Sequence, residues 1–129
     1  MNQQAQETYL RMQVNTAAPW ELTTLLFNGC IKFMKHAALA IKNNDFSGKN
    51  INIKKSVDII DELTITLNHN YEIAGDLEKI YDYVKRRLFH ANLKLDEGAL
   101  NECIELISDL RDSWVTAMKE LHNVAKVQS

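Results

Sequence analysis

The chain has 129 residues, of which 46% are hydrophobic, and its 15 basic and 17 acidic residues leave a formal net charge of −2. This length suits one domain with a hydrophobic core, and the absence of a Lys/Arg-rich segment argues against nucleic acid or an anionic membrane surface as the main partner. Because no apolar stretch approaches the roughly 20 residues that span a bilayer, and the amino terminus lacks the regions of a signal peptide, we expect a cytosolic protein without membrane insertion.

Almost all of the chain after Pro19 has the periodicity of amphipathic helices. It contains one proline and four glycines, and no segment alternates as a β-strand does. Residues 1–18 are polar with scattered apolar side chains, and they are predicted to form a flexible N-terminal arm. The remainder is predicted to be a single domain over residues 19–126, with helices at about 19–43, 50–67, 71–93 and 96–126.

The first predicted helix is apolar on two sides. It begins at Pro19, a residue favoured in a first turn because its missing N–H would be unpaired there. One stripe consists of Leu22, Leu26, Gly29, Cys30, Phe33, Ala37 and Ala40, and a second of Trp20, Phe27, Ile31, Met34, Ala38 and Ile41. A helix that is apolar nearly all round is either central in its domain or awaiting a partner. Gly29 in mid-helix costs roughly 1 kcal/mol relative to Ala, so we expect a neighbouring helix to approach closely there.

The second and third predicted helices each have one stripe that faces the core. In the second helix the stripe consists of Ile53, Val57, Ile60, Leu63 and Leu67, and the isoleucines outside it are Ile51, Ile59 and Ile65. In the third helix the stripe consists of Ile73, Leu77, Ile80, Tyr81, Val84, Leu88 and Ala91. Tyr83 points instead towards the polar flank.

The fourth predicted helix has the most regular pattern in the chain. Asp96 is the predicted N-cap, and a three-four spacing follows over more than three heptads, the seam expected in a left-handed bundle. The seam consists of Leu100, Cys103, Ile107, Leu110, Trp114, Ala117, Leu121 and Val124. Because the connections are short, consecutive helices should be antiparallel neighbours, and the predicted fold is an all-α, up-down-up-down four-helix bundle.

No catalytic or metal-binding constellation accompanies this pattern. A di-iron bundle needs Glu-x-x-His pairs, and none of the four histidines follows a glutamate at that spacing. The four glycines lie too far apart for a phosphate-binding loop. Cys30 and Cys103 both fall on apolar helix faces, where a cysteine is usually a small hydrophobic residue, and neither is predicted to be a nucleophile. We therefore predict a protein that is not an enzyme and needs no cofactor or metal.

Short motifs in each part of the chain occur in a family-specific order. The first region carries Tyr9, Val14 and Thr16, followed by the runs Ala17–Leu22 and Leu25–Phe33. Further along are the segment 56–67, the run Ile80–Val84 with Arg86-Arg87-Leu88 and Ala91-Asn92, and the run Leu110–Trp114. In combination, over roughly residues 9–116, these motifs resemble the FliS family of flagellin export chaperones.

The resemblance implies a cytosolic chaperone that binds the disordered C-terminal segment of flagellin. Such a chaperone stops flagellin from polymerising before export and helps to deliver it to the flagellar type III secretion machinery. An apolar groove in a helical bundle suits this task, because it can hold an amphipathic segment that orders on binding. The alternative is a structural bundle that forms a homodimer through the second stripe of the first helix and has no client.

The candidate partner-binding residues are mainly apolar side chains that the bundle seam does not use. Within the predicted helices they are Trp20, Ile31, Met34, Ile59, Ile65 and Tyr83. Each could instead pack within the bundle. Asn50 could hydrogen-bond the backbone of a bound segment or serve as a turn residue. Tyr9 and Met12 could pin the arm onto an apolar groove, and we expect the arm to cover that groove when it is empty.

Overall fold

The computed structural model describes residues 19–128, and within this range it contains four α-helices and no strand. The helices are α1 (Pro19–Lys42), α2 (Phe46–Ile65), α3 (Ile73–Lys94) and α4 (Glu97–Gln128). Helix α1 packs against α2 and α4, and α3 packs against the same two helices. With the short connections, these contacts confirm the predicted antiparallel four-helix bundle.

Helix α1 is buried on both of its apolar sides. Both of its apolar stripes contribute to the core, through Cys30 and Ala37 of the first and Phe27, Ile31 and Met34 of the second. Burying a large apolar side chain stabilises the fold by about 1.5–3 kcal/mol, so the second stripe stabilises the bundle itself. The face through which the alternative homodimer would form is therefore largely covered by the chain's own helices.

The predicted close approach at Gly29 is also observed. A Cβ atom added there would lie 3.3 Å from Cδ1 of Ile59 on α2. This distance is shorter than an ordinary van der Waals contact between carbon atoms, about 3.5–4.0 Å. The glycine therefore lets α1 and α2 pack together at this level.

Helix α2 begins one turn earlier than the apolar pattern predicts. It starts at Phe46 rather than near Asn50, because the carboxylate of Asp45 caps it by accepting a hydrogen bond from the Gly48 N–H at 2.9 Å. The predicted cap of α4 is confirmed, since Asp96 accepts from the N–H of Ala99 at 3.1 Å. These caps satisfy amide groups that the helix cannot pair internally.

Helix α4 is the longest of the four described helices. It has 32 residues, whereas α1, α2 and α3 have 24, 20 and 22. Its seam is fully buried as far as Ile107, half-buried at Leu110 and Trp114, and exposed at Ala117 and Leu121. The seam prediction is therefore wrong in its last part, because α2 and α3 do not cover the seam at Ala117 and Leu121. In the described residues no helix is long and apolar enough to cross a membrane.

Candidate functional site

An apolar groove of about 510 Å³ opens where α2 ends and α3 begins. We call it the end groove. Side chains from all four helices line it, among them Phe27, Leu63, Leu77, Tyr81, Leu110 and Trp114. Among the described residues that line the groove, none is Asp, Glu, Lys or Arg. Its surface therefore suits an apolar occupant rather than a charged one.

The groove exists because the α2–α3 connection is not long enough to cover α4. Helix α2 stops at Ile65 and α3 starts at Ile73, so the seam of α4 continues past both. The polar turn between them includes a hydrogen bond from the Asn70 N–H to Oδ1 of Asn68 at 3.0 Å. Tyr71 and Ile73 follow this turn and are 66% and 63% exposed on the rim of the groove. An exposed apolar rim of this kind often marks a binding site.

Contacts between α1 and α4 hold one wall of the end groove in place. The indole N–H of Trp114 donates to the backbone carbonyl of Trp20 at 3.0 Å. The ring of Trp20 also lies 4.8 Å from the ring of His122, measured between centroids. The wall is therefore formed before a ligand arrives, which lowers the entropy lost on binding.

Three buried titratable groups of the core, of which Tyr81 lines the groove, have raised pKa values. Burial, with a smaller contribution from Cys30, raises the pKa of Tyr81 to about 12. Burial is also the main reason that the pKa values of Cys30 and Cys103 rise to about 12. Each thiol faces a backbone carbonyl, of Ser56 and Val84 respectively, at 3.8 Å. A buried thiol with such a pKa is a poor nucleophile, as the sequence predicts.

Of the residues proposed from the sequence, those that the structure describes do not line the end groove. Ile31 and Met34 are 5% and 0% exposed in the core, so a partner could reach them only if the helices separated. Ile59 is half-buried over Gly29, and Trp20 is half-buried beside α4.

Three other candidates are accessible but lie apart from the groove. Asn50 is exposed, and Ile65 is 75% exposed just before the α2–α3 turn. Tyr83 is 38% exposed, and its hydroxyl donates to Glu102 on α4, which raises the pKa of Tyr83. Tyr9 and Met12 lie outside the described residues.

The sequence pattern does not identify the rim residues Tyr71, Ile73 and Ala117. Ile73 and Ala117 belong to apolar stripes that are predicted to face the core, and Tyr71 is predicted to begin a helix. A usable signal was the length of the α4 seam, which exceeds that of the predicted second helix. Two helices of unequal length leave apolar surface uncovered on the longer one.

Comparison with known proteins connects this architecture to a family. The model of the family described as flagellar protein FliS matches residues 1–121 of the chain. The chain belongs to the FliS family. The flagellar secretion chaperone FliS of Bacillus subtilis (strain 168) is 47% identical over 111 residues, covering 86% of this chain and 84% of that protein. The flagellar secretion chaperone FliS of Escherichia coli (strain K12) is 32% identical over 104 residues, covering 78% of this chain and 76% of that protein.

A solved structure shares the FliS-type fold. It is described as a flagellar chaperone from bacteria, superposes with a TM-score of 0.74, and covers 91% of this chain and 97% of its own. At 18% identity this similarity establishes the fold alone. Membership of the FliS family supports a chaperone role in flagellar export, which implies a client protein and a role other than catalysis.

Proposed function

We propose that this FliS-family chain is a cytosolic chaperone whose client is the C-terminal segment of flagellin, held in the end groove. The observation that carries the proposal is the groove itself, whose described lining residues are uncharged and which has Tyr71 and Ile73 exposed on its rim. A segment that polymerises through apolar helical contacts would bury the same kind of surface here. Bound in this way, flagellin would be kept from polymerising and could be delivered to the type III export apparatus.

The exposed part of the α4 seam extends the same surface. Ala117 lines the groove, and Leu121, one turn further on, is 60% exposed. Together with the groove they form an apolar track along α4, suited to the side chains that an amphipathic helix repeats every three or four residues. A client longer than the groove would be expected to continue along this track.

We further propose that the N-terminal arm covers the groove in the absence of client. The proposal rests on Tyr9 and Met12, which are apolar side chains in a polar background, and on the position of Pro19 at the start of α1, the helix that forms one wall. Deleting residues 1–14 should then raise the affinity for client peptide, because the arm would no longer compete. Unchanged affinity and unchanged groove exposure after the deletion would rule out this role for the arm.

The main test is titration calorimetry with a peptide of about 40 residues from the C-terminus of flagellin, long enough to span two helices of the bundle. We expect a 1:1 complex and a negative heat-capacity change, which indicates that apolar surface is buried. A protein that gives no heat, keeps its melting temperature and instead self-associates with concentration would support the structural homodimer.

A matched pair of variants locates the site. Ala117→Arg places a guanidinium on the rim of the end groove, whereas Thr116→Arg places it on a neighbouring polar surface of α4 near Arg111. Because a desolvated charge opposes apolar binding, Ala117→Arg should weaken peptide affinity at least about tenfold, equivalent to 1.4 kcal/mol, and Thr116→Arg should leave it nearly unchanged. Equal effects of the two variants would place the client elsewhere on the bundle.

A further inference from the structure

The connection between α2 and α3 borders the end groove and is exposed along its length. We call residues 68–73 the α2–α3 strap, and every residue in it is exposed. Its two ends are anchored, because Leu67 before it packs against the core and Ala74 after it is buried. Tyr71 and Ile73 of the strap line the end groove. The strap can therefore move between two fixed ends, and any such movement alters the mouth of the groove.

Hydrogen bonds hold the strap only to its own neighbours along the chain. The carbonyl of Asn68 accepts from the N–H of Tyr71, and the carbonyl of Tyr71 accepts from the N–H of Ala74, both at 3.1 Å. His69 lies 3.8 Å from the carboxylate of Glu78 on α3, and an ion pair between such exposed side chains contributes little to stability. Among the described residues, no hydrogen bond or ion pair joins the strap to α1 or α4. The strap can therefore change position without breaking a polar contact to the opposite wall of the groove.

The first turn of α3 also lacks the kind of cap that begins α2 and α4. Asp45 and Asp96 cap those two helices through their carboxylates. Glu72 precedes α3 with helical torsion angles, φ −59° and ψ −37°, and its side chain makes no capping hydrogen bond. Because a side-chain cap fixes the residue at which a helix begins, α3 can gain or lose its first turn more readily than α2 or α4.

The size of the end groove favours an open strap in the free protein. The groove has a volume of about 510 Å³. Closing the strap over this space when it is empty would leave apolar walls with no atoms packed against them, and the missing dispersion contacts make such a cavity unfavourable. An apolar client fills the space, so Tyr71 and Ile73, which are 66% and 63% exposed, can then leave water by packing on it. A client that binds the closed state better shifts the strap towards that state.

We propose that the α2–α3 strap is a lid, which closes over a bound client and brings Tyr71 and Ile73 onto its apolar side chains. This inference rests on the proposed function, in which the end groove holds the client. The opposite wall is held by the hydrogen bond between Trp114 and Trp20, so the strap is the side that moves. Because the strap closes after the client has entered, it slows release more than it slows binding.

The distance between two spin labels tests this movement. Asn70→Cys with Thr116→Cys places one label on the strap and the other on α4. The native Cys30 and Cys103 are fully buried and do not compete for the label. Double electron–electron resonance should show that the mean distance shortens by several ångströms when the flagellin peptide is added. The control pair, Ser47→Cys with Thr116→Cys, has no label on the strap and should keep its distance.

The outcomes separate the lid from the proposed function. If the peptide binds in calorimetry and the strap distance does not change, the lid proposal is overturned and the end-groove proposal stands. Equal shortening in the control pair would indicate a rearrangement of the whole bundle and would also overturn the lid. If the native chain does not bind the peptide, both proposals are overturned.

A second pair of exposed apolar side chains provides matched variants. Tyr71→Ala with Ile73→Ala removes the apolar side chains of the strap, whereas Phe89→Ala with Leu93→Ala removes a pair that is 65% and 64% exposed and does not line the groove. In stopped-flow fluorescence with labelled peptide, the strap variant should release the peptide at least about tenfold faster with little change in association rate. The control variant should change neither rate more than about twofold. Equal dissociation rates in the two double variants would overturn the proposal.

Discussion

Two glycines in helices offer a direct measurement of how closely α1 and α2 pack. A Cβ added at Gly29 would meet Cδ1 of Ile59 at 3.3 Å, whereas one added at Gly75 on α3 would meet nothing within 4 Å. Replacing a helical Gly by Ala stabilises the helix by about 0.5–1 kcal/mol where space allows. We therefore expect Gly75→Ala to raise the free energy of unfolding by about this amount.

Gly29→Ala should not raise the free energy of unfolding in the same way. Replacing Gly29 by Ala should stabilise the helix by a similar amount, but the end of the Ile59 side chain must then move aside. Overpacking a tight contact costs about 1–3 kcal/mol when the neighbour is rigid. Because Ile59 is half-buried and its Cδ1 is the far end of a flexible side chain, we expect the lower part of that cost. The net change in the free energy of unfolding for Gly29→Ala should lie between about −0.5 and 0 kcal/mol.

A double-mutant cycle isolates the contact. In an Ile59→Ala background Gly29→Ala should stabilise as much as Gly75→Ala does in the native chain, which gives a coupling of about 1 kcal/mol between Gly29 and Ile59. Urea unfolding followed by circular dichroism measures each step, provided that the m-value stays constant. If Gly29→Ala alone stabilises as fully as Gly75→Ala, then α1 and α2 are not in tight contact and Ile59 is free to meet a partner.

Three further predictions concern the core, the thiols and a helix cap. Met34→Ala should destabilise the bundle by about 2–5 kcal/mol in urea unfolding because Met34 is fully buried, whereas Ile65→Ala at a 75% exposed site should change stability by less than about 0.5 kcal/mol. Cys30 and Cys103, with pKa values of about 12, should resist alkylation at pH 8 until the chain unfolds, as mass spectrometry would show. Asp96→Ala should lower the melting temperature at neutral pH, and this difference should shrink in acid.

The sign of the Asp96 effect follows from its hydrogen bonds. The Ala99 N–H, and then His90, hold the pKa of Asp96 below its usual range. A depressed carboxyl pKa stabilises the fold above the pKa of the unfolded chain, and the contribution is lost as the pH falls through the folded value. If the difference in melting temperature between wild type and Asp96→Ala stays constant down to strongly acidic pH, this prediction is contradicted. Rapid alkylation of the folded protein would contradict the prediction on the thiols. A Met34→Ala variant as stable as Ile65→Ala would contradict the prediction on the core.

Local patterns were sufficient to predict the secondary structure and the bundle. Helical periodicity and turn residues act over a few positions, so they are readable along the chain, and Asp96 is recognisable as a cap because it directly precedes the apolar pattern of α4. The start of α2 was mispredicted because Asp45 caps a first turn whose residues Phe46 to Lys49 include several turn formers. Capping by one side chain outweighed weak local propensity.

The candidate site required the tertiary structure. The sequence shows that α1 is apolar on two sides, but only packing decides that Ile31 and Met34 are enclosed by neighbouring helices while Tyr71, Ile73 and Leu121 remain exposed. The same kind of apolar stripe is buried or open according to whether another helix reaches it. In this bundle α4 extends beyond α2 and α3, and the end groove is the surface that this difference in length leaves uncovered.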